Sequence, residues 1–302
     1  MKKIIILTTA VICFTAVFFS FQQSEEQLTP RQTEFLTKYA IYPVEVPKSF
    51  SFCFDAVPLN DFDVHERFET ELLVNTYWQS QTMLLIKRSK RWFPVIEPIL
   101  KKNNIPDDFK YLAVAESGLQ QVVSSSGATG FWQFLNSTGK KYNLEIDDEV
   151  DERYHVEKAT EAACKYFTES YGQFQNWALV AASYNMGIEG VKNQLEKQKA
   201  KTYWDLLLNT ETSRYVFRIM ALKEILSSPA KYGFHVSGTD YYKPLNFSVV
   251  KIDSSVSDLA QFALENKINY KQLKIANPWL RQNFISNADK KVYEIKILRN
   301  NN

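Results

Sequence analysis

The sequence predicts a mainly α protein, with a helical domain over residues 62–235 followed by a small βααβ module over 245–298. Three observations carry that expectation. From Phe62 onward apolar residues recur at helical spacing, punctuated by residues such as Pro94, Pro98, Pro106, Gly118, Gly130 and Gly187. After "SSPAKYGFHVSGTD" the character changes: "NFSVVKI" and "KVYEIKIL" have strand composition and enclose two helical stretches, "SVSDLAQFALENK" and "NYKQLKIANPWL". The 302 residues are 45% hydrophobic and 23% charged, a globular balance that sets aside disordered and collagen-like classes.

The chain opens on "MKKIIILTTAVICFTAVFFSFQQSEE". Two lysines, an apolar run over 4–21 and a polar continuation read as a signal peptide or single membrane anchor over 1–22. Either form exports the rest of the chain to the periplasm or cell envelope, and an uncleaved form also associates with the membrane. Residues 23–61 hold Pro30, Pro43, Pro47 and Pro58 without a sustained period, which reads as a linker or tether. Thirty-six basic against thirty-four acidic residues leave a charge of +2, so a nucleic-acid partner is not expected.

Beyond the leader the cysteines are Cys53 and Cys164. Cys164, in the helical pattern "EAACKYF", reads as a small buried thiol, and a bridge between the two stays open in an oxidising compartment. His65, His155 and His235 lack metal-ligand spacing, so neither a metal nor a cofactor is expected.

One carboxylate stands out in "NIPDDFKYLAVAESG". Pro106 starts a helix, and Asp107 and Asp108 occupy its first turn, where carboxylates complement the dipole. Phe109, Leu112, Ala113 and Glu116 fall at i, i+3, i+4 and i+7, so Glu116 continues an apolar stripe. Gly118 is placed to end the helix, which leaves Glu116 beside the negative dipole end. Burial and dipole both disfavour its ionised form, the condition a general acid needs. A solvated helix-terminal glutamate is the competing reading.

Two further stretches carry polar groups among apolar ones. In "SSSGATGFWQF", Gly127 and Gly130 allow tight turns, Trp132 and Phe134 can pack, and Gln133 offers an amide suited to a sugar or peptide. In "NWALVAASYNMG", Tyr184 and Asn185 close an Ala-rich helix that Gly187 can cap. The acidic run Asp147, Asp148, Glu149, Asp151 and Glu152 reads as a solvated turn and helix start rather than a second catalytic carboxylate.

Taken in order, "IEPILKKNNIPDDFKYLAVAESGL", "SSSGATGFWQFLNSTGKKYNL", "DEVDERYHVEKATEAACKYF", "WALVAASYNMG" and "ETSRYVFRIMALKEI" resemble the lytic murein transglycosylases with a goose-type lysozyme-like (SLT) domain, in particular the membrane-bound transglycosylase D group. The resemblance spans about residues 62 to 230. It implies a lysozyme-like catalytic domain with Glu116 as the sole catalytic acid/base, and a saccharide cleft involving Ser117, Ser124, Gln133, Tyr184, Asn185 and Tyr215. Ser125 rivals Ser124 at its position.

The implied partner is the glycan strand of peptidoglycan, and the implied reaction cuts the β-1,4 bond from N-acetylmuramic acid to N-acetylglucosamine without water, leaving 1,6-anhydro ends. A hydrolytic muramidase and a non-catalytic wall-binding scaffold are the alternatives. Residues 245–298 resemble a LysM peptidoglycan-binding module, although Ile252 and Asp253 stand where the pattern has Gly-Asp. That module is read either as a glycan binder or as a structural appendage.

Overall fold

A computed structural model of the chain describes residues 28–38 and 40–299. The leader expected over 1–22 lies outside the described residues. Among the described residues, no helix is long and apolar enough to cross a membrane.

The described residues up to Pro43 and those from Val44 onward form separate units. In the first, helix α1 (Pro30–Lys38) begins at a proline, buries none of its residues, and is capped by reciprocal bonds between Thr29 and Gln32.

The second unit starts inside the stretch expected to be a tether, and that expectation fails from about Phe50. Strands β1 (Ser51–Phe52) and β2 (Asp55–Ala56) pair antiparallel, with Cys53 and Phe54 both at positive φ in the turn. Phe52, Cys53, Val57 and Leu59 belong to the main apolar core, and Phe50 packs on Phe68 at 4.9 Å between ring centroids. The Cys53 amide donates to Asp108 Oδ2 (2.7 Å), which also receives Lys223 Nζ (2.7 Å). Cys53 and Cys164 are both buried free thiols, so the bridge left open by the sequence is not made.

Helices α2 (Phe62–Tyr77) and α3 (Gln79–Lys102) follow, α2 capped by Asp61 through the amides of Asp63 and Val64. Pro94 and Pro98 do not punctuate as expected: both sit inside α3. A 3₁₀ turn (Asp107–Phe109) leads into α4 (Lys110–Ser117), and α5 (Asn136–Lys141) follows the Ser/Gly stretch. A second 3₁₀ turn (Glu152–Tyr154) precedes α6 (Val156–Phe174), α7 (Trp177–Met186), α8 (Ile188–Gln198) and α9 (Thr210–Ser227). One core holds these helices, with Phe68, Leu112, Trp132, Phe167, Val180 and Phe217 at most 1% exposed. Helix α9 packs on α2, α4 and α7, bringing its own side chains to the end of α4.

The C-terminal module is β3 (Phe247–Ile252), α10 (Leu259–Glu265), α11 (Tyr270–Ala276) and β4 (Tyr293–Leu298), the expected βααβ order. The strands pair antiparallel from Phe247 opposite Leu298 to Ile252 opposite Tyr293, and Tyr293, Ile295 and Ile297 point into a second apolar cluster. Asn277, fully buried, ties α11 to β4: its Nδ2 donates to Lys296 O (2.7 Å) and its Oδ1 accepts from Lys296 N (2.8 Å).

This second cluster includes Val150 and Tyr154, residues of the acidic stretch. The acidic run is therefore not simply solvated. Asp147 does make a turn, accepting from the amides of Glu149 and Val150, but Asp151 and Glu152 are 7% and 4% exposed. Asp151 N donates to Trp279 O (2.9 Å), Arg281 N donates to Glu149 O (2.8 Å), and Ser286 donates twice to the Glu149 carboxylate. The run is the seam along which the C-terminal module joins the helical part.

Candidate active site

Helix α4 is short, and almost all of it is buried. Phe109, Leu112 and Ala113 are fully inside the core, and the stripe they define ends on Glu116, which is half-buried. Gly118 adopts φ +59° as the left-handed cap, its amide donating to Val114 O. An added Cβ there would also lie 3.2 Å from Leu85.

The residue after Glu116 turns away from the stripe. Ser117 is buried, its hydroxyl donating to Ala113 O (3.1 Å) and accepting from Leu119 N (3.2 Å). These bonds close the helix end, and Ser117 does not line the cleft. The substrate-binding role implied for Ser117 is not one its position offers, because successive helical residues point about 100° apart.

The cleft has a volume of about 300 Å³, and its lining includes Glu116, Ser124, Gln133, Tyr184 and Asn185. Its rim is built by the Ser/Gly stretch. Ser124 N donates to Ala128 O (2.8 Å), while Ser124 Oγ accepts from Ala128 N (3.0 Å) and shares a bond with Ser126 Oγ (3.0 Å). Ser124 and Ser126 face the cleft; Ser125 is exposed and outside its lining. Gly130, at φ +80°, lets the loop pass against Arg153: a Cβ there would lie 2.0 Å from Arg153 O. Arg153 Nη1 reaches back to Gly127 O and Phe134 O (3.2 Å each), so the loop is pinned from behind.

Gln133 lies at φ +49°, and its Nε2 donates to Gly130 O (2.8 Å) and Val122 O (3.1 Å). The group it can present to a ligand is therefore the carbonyl oxygen. Trp132 beside it is fully buried, its Nε1 donating to Thr160 Oγ1 (2.9 Å). Tyr184 donates to Trp132 O (2.7 Å), linking the end of α7 to this loop. Asn185 accepts from Thr212 Oγ1 (2.7 Å) and donates to Glu211 Oε1 (2.9 Å), which fixes its amide orientation.

Tyr215 stands behind the carboxylate rather than on the cleft wall, and its hydroxyl donates to Glu116 Oε1. Burial, with the neighbouring Glu116 charge, pushes the phenols of Tyr215 and Tyr184 well above their usual range, so both remain donors. The Glu116 carboxyl is itself pushed up to about 7. Burial is the largest cause; the Tyr215 hydrogen bond and Arg218 charge pull the other way, and Glu211 adds a push upward. Arg218 is held nearby by a bond from Nη2 to Ala115 O.

Four residues that tune this site lay outside the sequence reading: Glu211, Thr212, Arg218 and Ser126. A signal for two of them exists in "ETSRYVFRIM", where Glu211, Tyr215 and Arg218 fall at i, i+4 and i+7 on one face of α9.

The arrangement supplies one carboxyl that changes protonation near neutrality, a phenol holding it, and neutral hydrogen-bonding groups across from it. Among the described residues, Glu116 is the sole carboxylic acid lining the cleft. Among the described residues there is no cluster of three His, Cys, Asp or Glu that could hold a metal ion.

Residues 93–207 match the Transglycosylase SLT domain, a span that contains Glu116, Ser124, Gln133, Tyr184 and Asn185 and ends before Tyr215. Residues 248–301 match the Soluble lytic transglycosylase C-terminal LysM-like domain. Two curated proteins, the Membrane-bound lytic murein transglycosylase D of Escherichia coli strain K12 and that of Escherichia coli O6:H1 strain CFT073, are each 29% identical over 227 residues, which is 73% of this chain and 48% of the relative. The chain thus spans about half the length of the curated relatives it matches.

Proposed function

The chain carries a transglycosylase SLT domain followed by a LysM-like domain, and on that premise we propose that it is a lytic transglycosylase of the cell envelope, cutting the glycan strands of peptidoglycan between N-acetylmuramic acid and N-acetylglucosamine. The observation that carries the reading is Glu116, the one carboxyl among the described residues that line the cleft, pushed by burial up to about 7. Glycosidases that admit water ordinarily place two carboxylates about the scissile bond. A reaction that recruits its nucleophile from the substrate needs only one.

In the proposed sequence protonated Glu116 donates to the glycosidic oxygen as the bond from that oxygen to C1 of the muramic residue breaks. The carboxylate left behind takes the proton of the muramic C6 hydroxyl, and O6 bonds to C1 to give the 1,6-anhydro end. Glu116 is thereby returned to its protonated form. A value near 7 suits a group that must act as acid and then as base. Tyr215 holds the carboxyl in place, while Ser124, the Gln133 carbonyl and the Asn185 amide are the groups proposed to meet the sugar. Holding O6 close to C1 replaces a positioned water by proximity.

In this reading residues 62–235 cut and residues 245–298 serve the wall-binding side of the molecule. The leader over 1–22 delivers both to the compartment where the substrate lies. Mass spectrometry of peptidoglycan digested by the full chain tests the proposal. Anhydro-muramic ends are expected; reducing ends would replace it with a hydrolase, and intact glycan retained by the protein would replace it with a scaffold.

A further inference from the structure

A cavity larger than the cleft that holds Glu116 is lined by described residues elsewhere in the molecule. It lies on the seam between the helical part and the C-terminal module and has a volume of about 640 Å³, against about 300 Å³ for the cleft. Its apolar walls include Trp92 from α3, Phe247 from β3, Tyr270 from α11, and Trp279. Its charges are unbalanced: Arg91, Lys271, Lys274 and Lys296 face a single carboxylate, Glu157.

Most of these cations are occupied. Lys296 pairs with Glu157, Lys274 donates to the carbonyls of Leu280 and Gln282, and Arg91 Nε donates to Lys243 O (2.9 Å). Lys271 is exposed at the rim. Four polar atoms of the lining are buried without a hydrogen bond; His155 Nδ1 and Glu157 Oε2 face each other at 3.2 Å, which leaves Trp279 Nε1, on a residue 3% exposed, and Gln121 Oε1. Buried donors and acceptors almost always find partners. Here one donor and one acceptor belong to side chains of the same cavity.

An unmet N–H, an unmet carbonyl, aromatic walls and surplus positive charge describe the complement of a short peptide bearing carboxylates. A peptide unit supplies both the acceptor and the donor, and carboxylates answer the cations. The glycan of intact peptidoglycan, its muramic carboxyls taken up in amide bonds to the peptides, would leave the charge unanswered. Resting on the function proposed above, we propose that this cavity binds the carboxylate-bearing stem peptide of peptidoglycan while the glycan occupies the cleft.

The two sites share a loop. Gln121 lines the cavity and Ser124 lines the cleft, and three residues of chain can separate their Cα atoms by no more than about 11 Å. Gln121 Nε2 donates to Tyr154 O (2.8 Å), tying that loop to the seam. The volume falls within the range of sites that enclose a small ligand.

The test uses the full chain with Glu116→Gln, so that no ligand is cut. Isothermal titration with the free stem peptide, released from glycan by an amidase, should show saturable binding that weakens with added salt. Lys271→Glu should lower the peptide affinity about tenfold by placing like charge at the rim. Ile275→Trp, at an exposed lining position, should lower it by filling the cavity. A neutral N-acetylglucosamine oligomer, which lacks the muramic carboxylates that the amidase unmasks, should bind all three proteins equally, and matching thermal melts would establish that each is folded.

A peptide that does not bind at millimolar concentration, or that binds equally to all three proteins, overturns the proposal. Loss of binding of the N-acetylglucosamine oligomer in the two cavity variants also overturns it, since the cavity would then be a saccharide subsite. These outcomes are separate from the cleavage reading. Anhydro ends with no peptide binding remove the cavity assignment alone, and peptide binding without anhydro ends removes the catalytic assignment alone.

Discussion

Two glutamates at opposite kinds of helix end show how the same residue type is put to different work. Glu116 stands in the last turn of α4, Glu157 in the first turn of α6. Burial pushes both upward. At Glu157 the contacts with His155 and Lys296 outweigh it and hold the carboxyl down to about 2; at Glu116 one phenol and a nearby arginine do not, and the value stays near 7. The dipole acts in the same two directions, favouring charge at the start of α6 and opposing it at the end of α4. A carboxylate paired directly with a cation is held as a fastener, and one bonded to a phenol, with an arginine nearby but not paired to it, is suited to exchange a proton near neutrality.

Removing the charge should therefore have opposite consequences at the two positions. Glu116→Gln is expected to lower turnover by about 10²–10⁴-fold while leaving glycan binding in place. It should also stabilise the fold at alkaline pH. The folded value of Glu116 is raised, so its stability contribution is full below its ordinary 4.5 and is lost as pH rises through about 7. Replacing it should recover about 2–3 kcal/mol at pH 8, measured by denaturant titration. Turnover of the unaltered protein should fall as pH rises above about 7. Equal melting of the two proteins at pH 5 and pH 8 would break the comparison.

The next effect tests whether the fastened side supports the working side. Arg153 joins them, pairing with Asp151 on the seam (2.7 Å) and holding the carbonyls of Gly127 and Phe134 behind the cleft loop. Arg153→Ala leaves Asp151 buried without its cation. A loss of about 3–5 kcal/mol is expected by calorimetry, together with reduced turnover. Asp151→Asn with Arg153→Ala should lose less than Arg153→Ala alone, since the stranded charge is gone.

How much of this could be read from the sequence depends on the reach of each interaction. The stripe of Phe109, Leu112, Ala113 and Glu116 and the cap at Gly118 were legible because helical period and termination are local. So were the strands at 246–252 and 291–298, whose partners were missing but whose composition was not. Ser117 was carried along with Glu116 by adjacency, although adjacency on a helix means a different face. The hairpin at 51–56 escaped because strands of two residues have no period. The acidic run looked solvated because its partners, Trp279, Arg281 and Ser286, come more than a hundred residues later. The hydroxyl that holds Glu116 is likewise 99 residues away, and no local pattern around Glu116 announces it.

A smaller effect isolates that hydroxyl. Tyr215→Phe keeps the ring and removes the donor that pulls the Glu116 value down. Turnover is expected to fall by about 1.5 kcal/mol, or tenfold, and the alkaline limb of the pH profile to move to higher pH. A role confined to packing would lower stability without moving that limb.

The smallest effect returns to Glu157, at the edge of both the seam and the larger cavity. Its folded value is depressed, so its contribution is present above the ordinary 4.5 and is lost as pH falls toward about 2. About a third of the side chain remains accessible, so solvent screening limits the contribution to about 1 kcal/mol. Glu157→Gln should therefore melt lower than the unaltered protein at pH 7, and the two should converge as pH is taken below 3. Its turnover, corrected for folded fraction, should stay close to that of the unaltered protein on glycan free of peptides. A large loss there would mean that the seam carboxylate takes part in the chemistry, and the division between fastener and proton carrier would have to be redrawn.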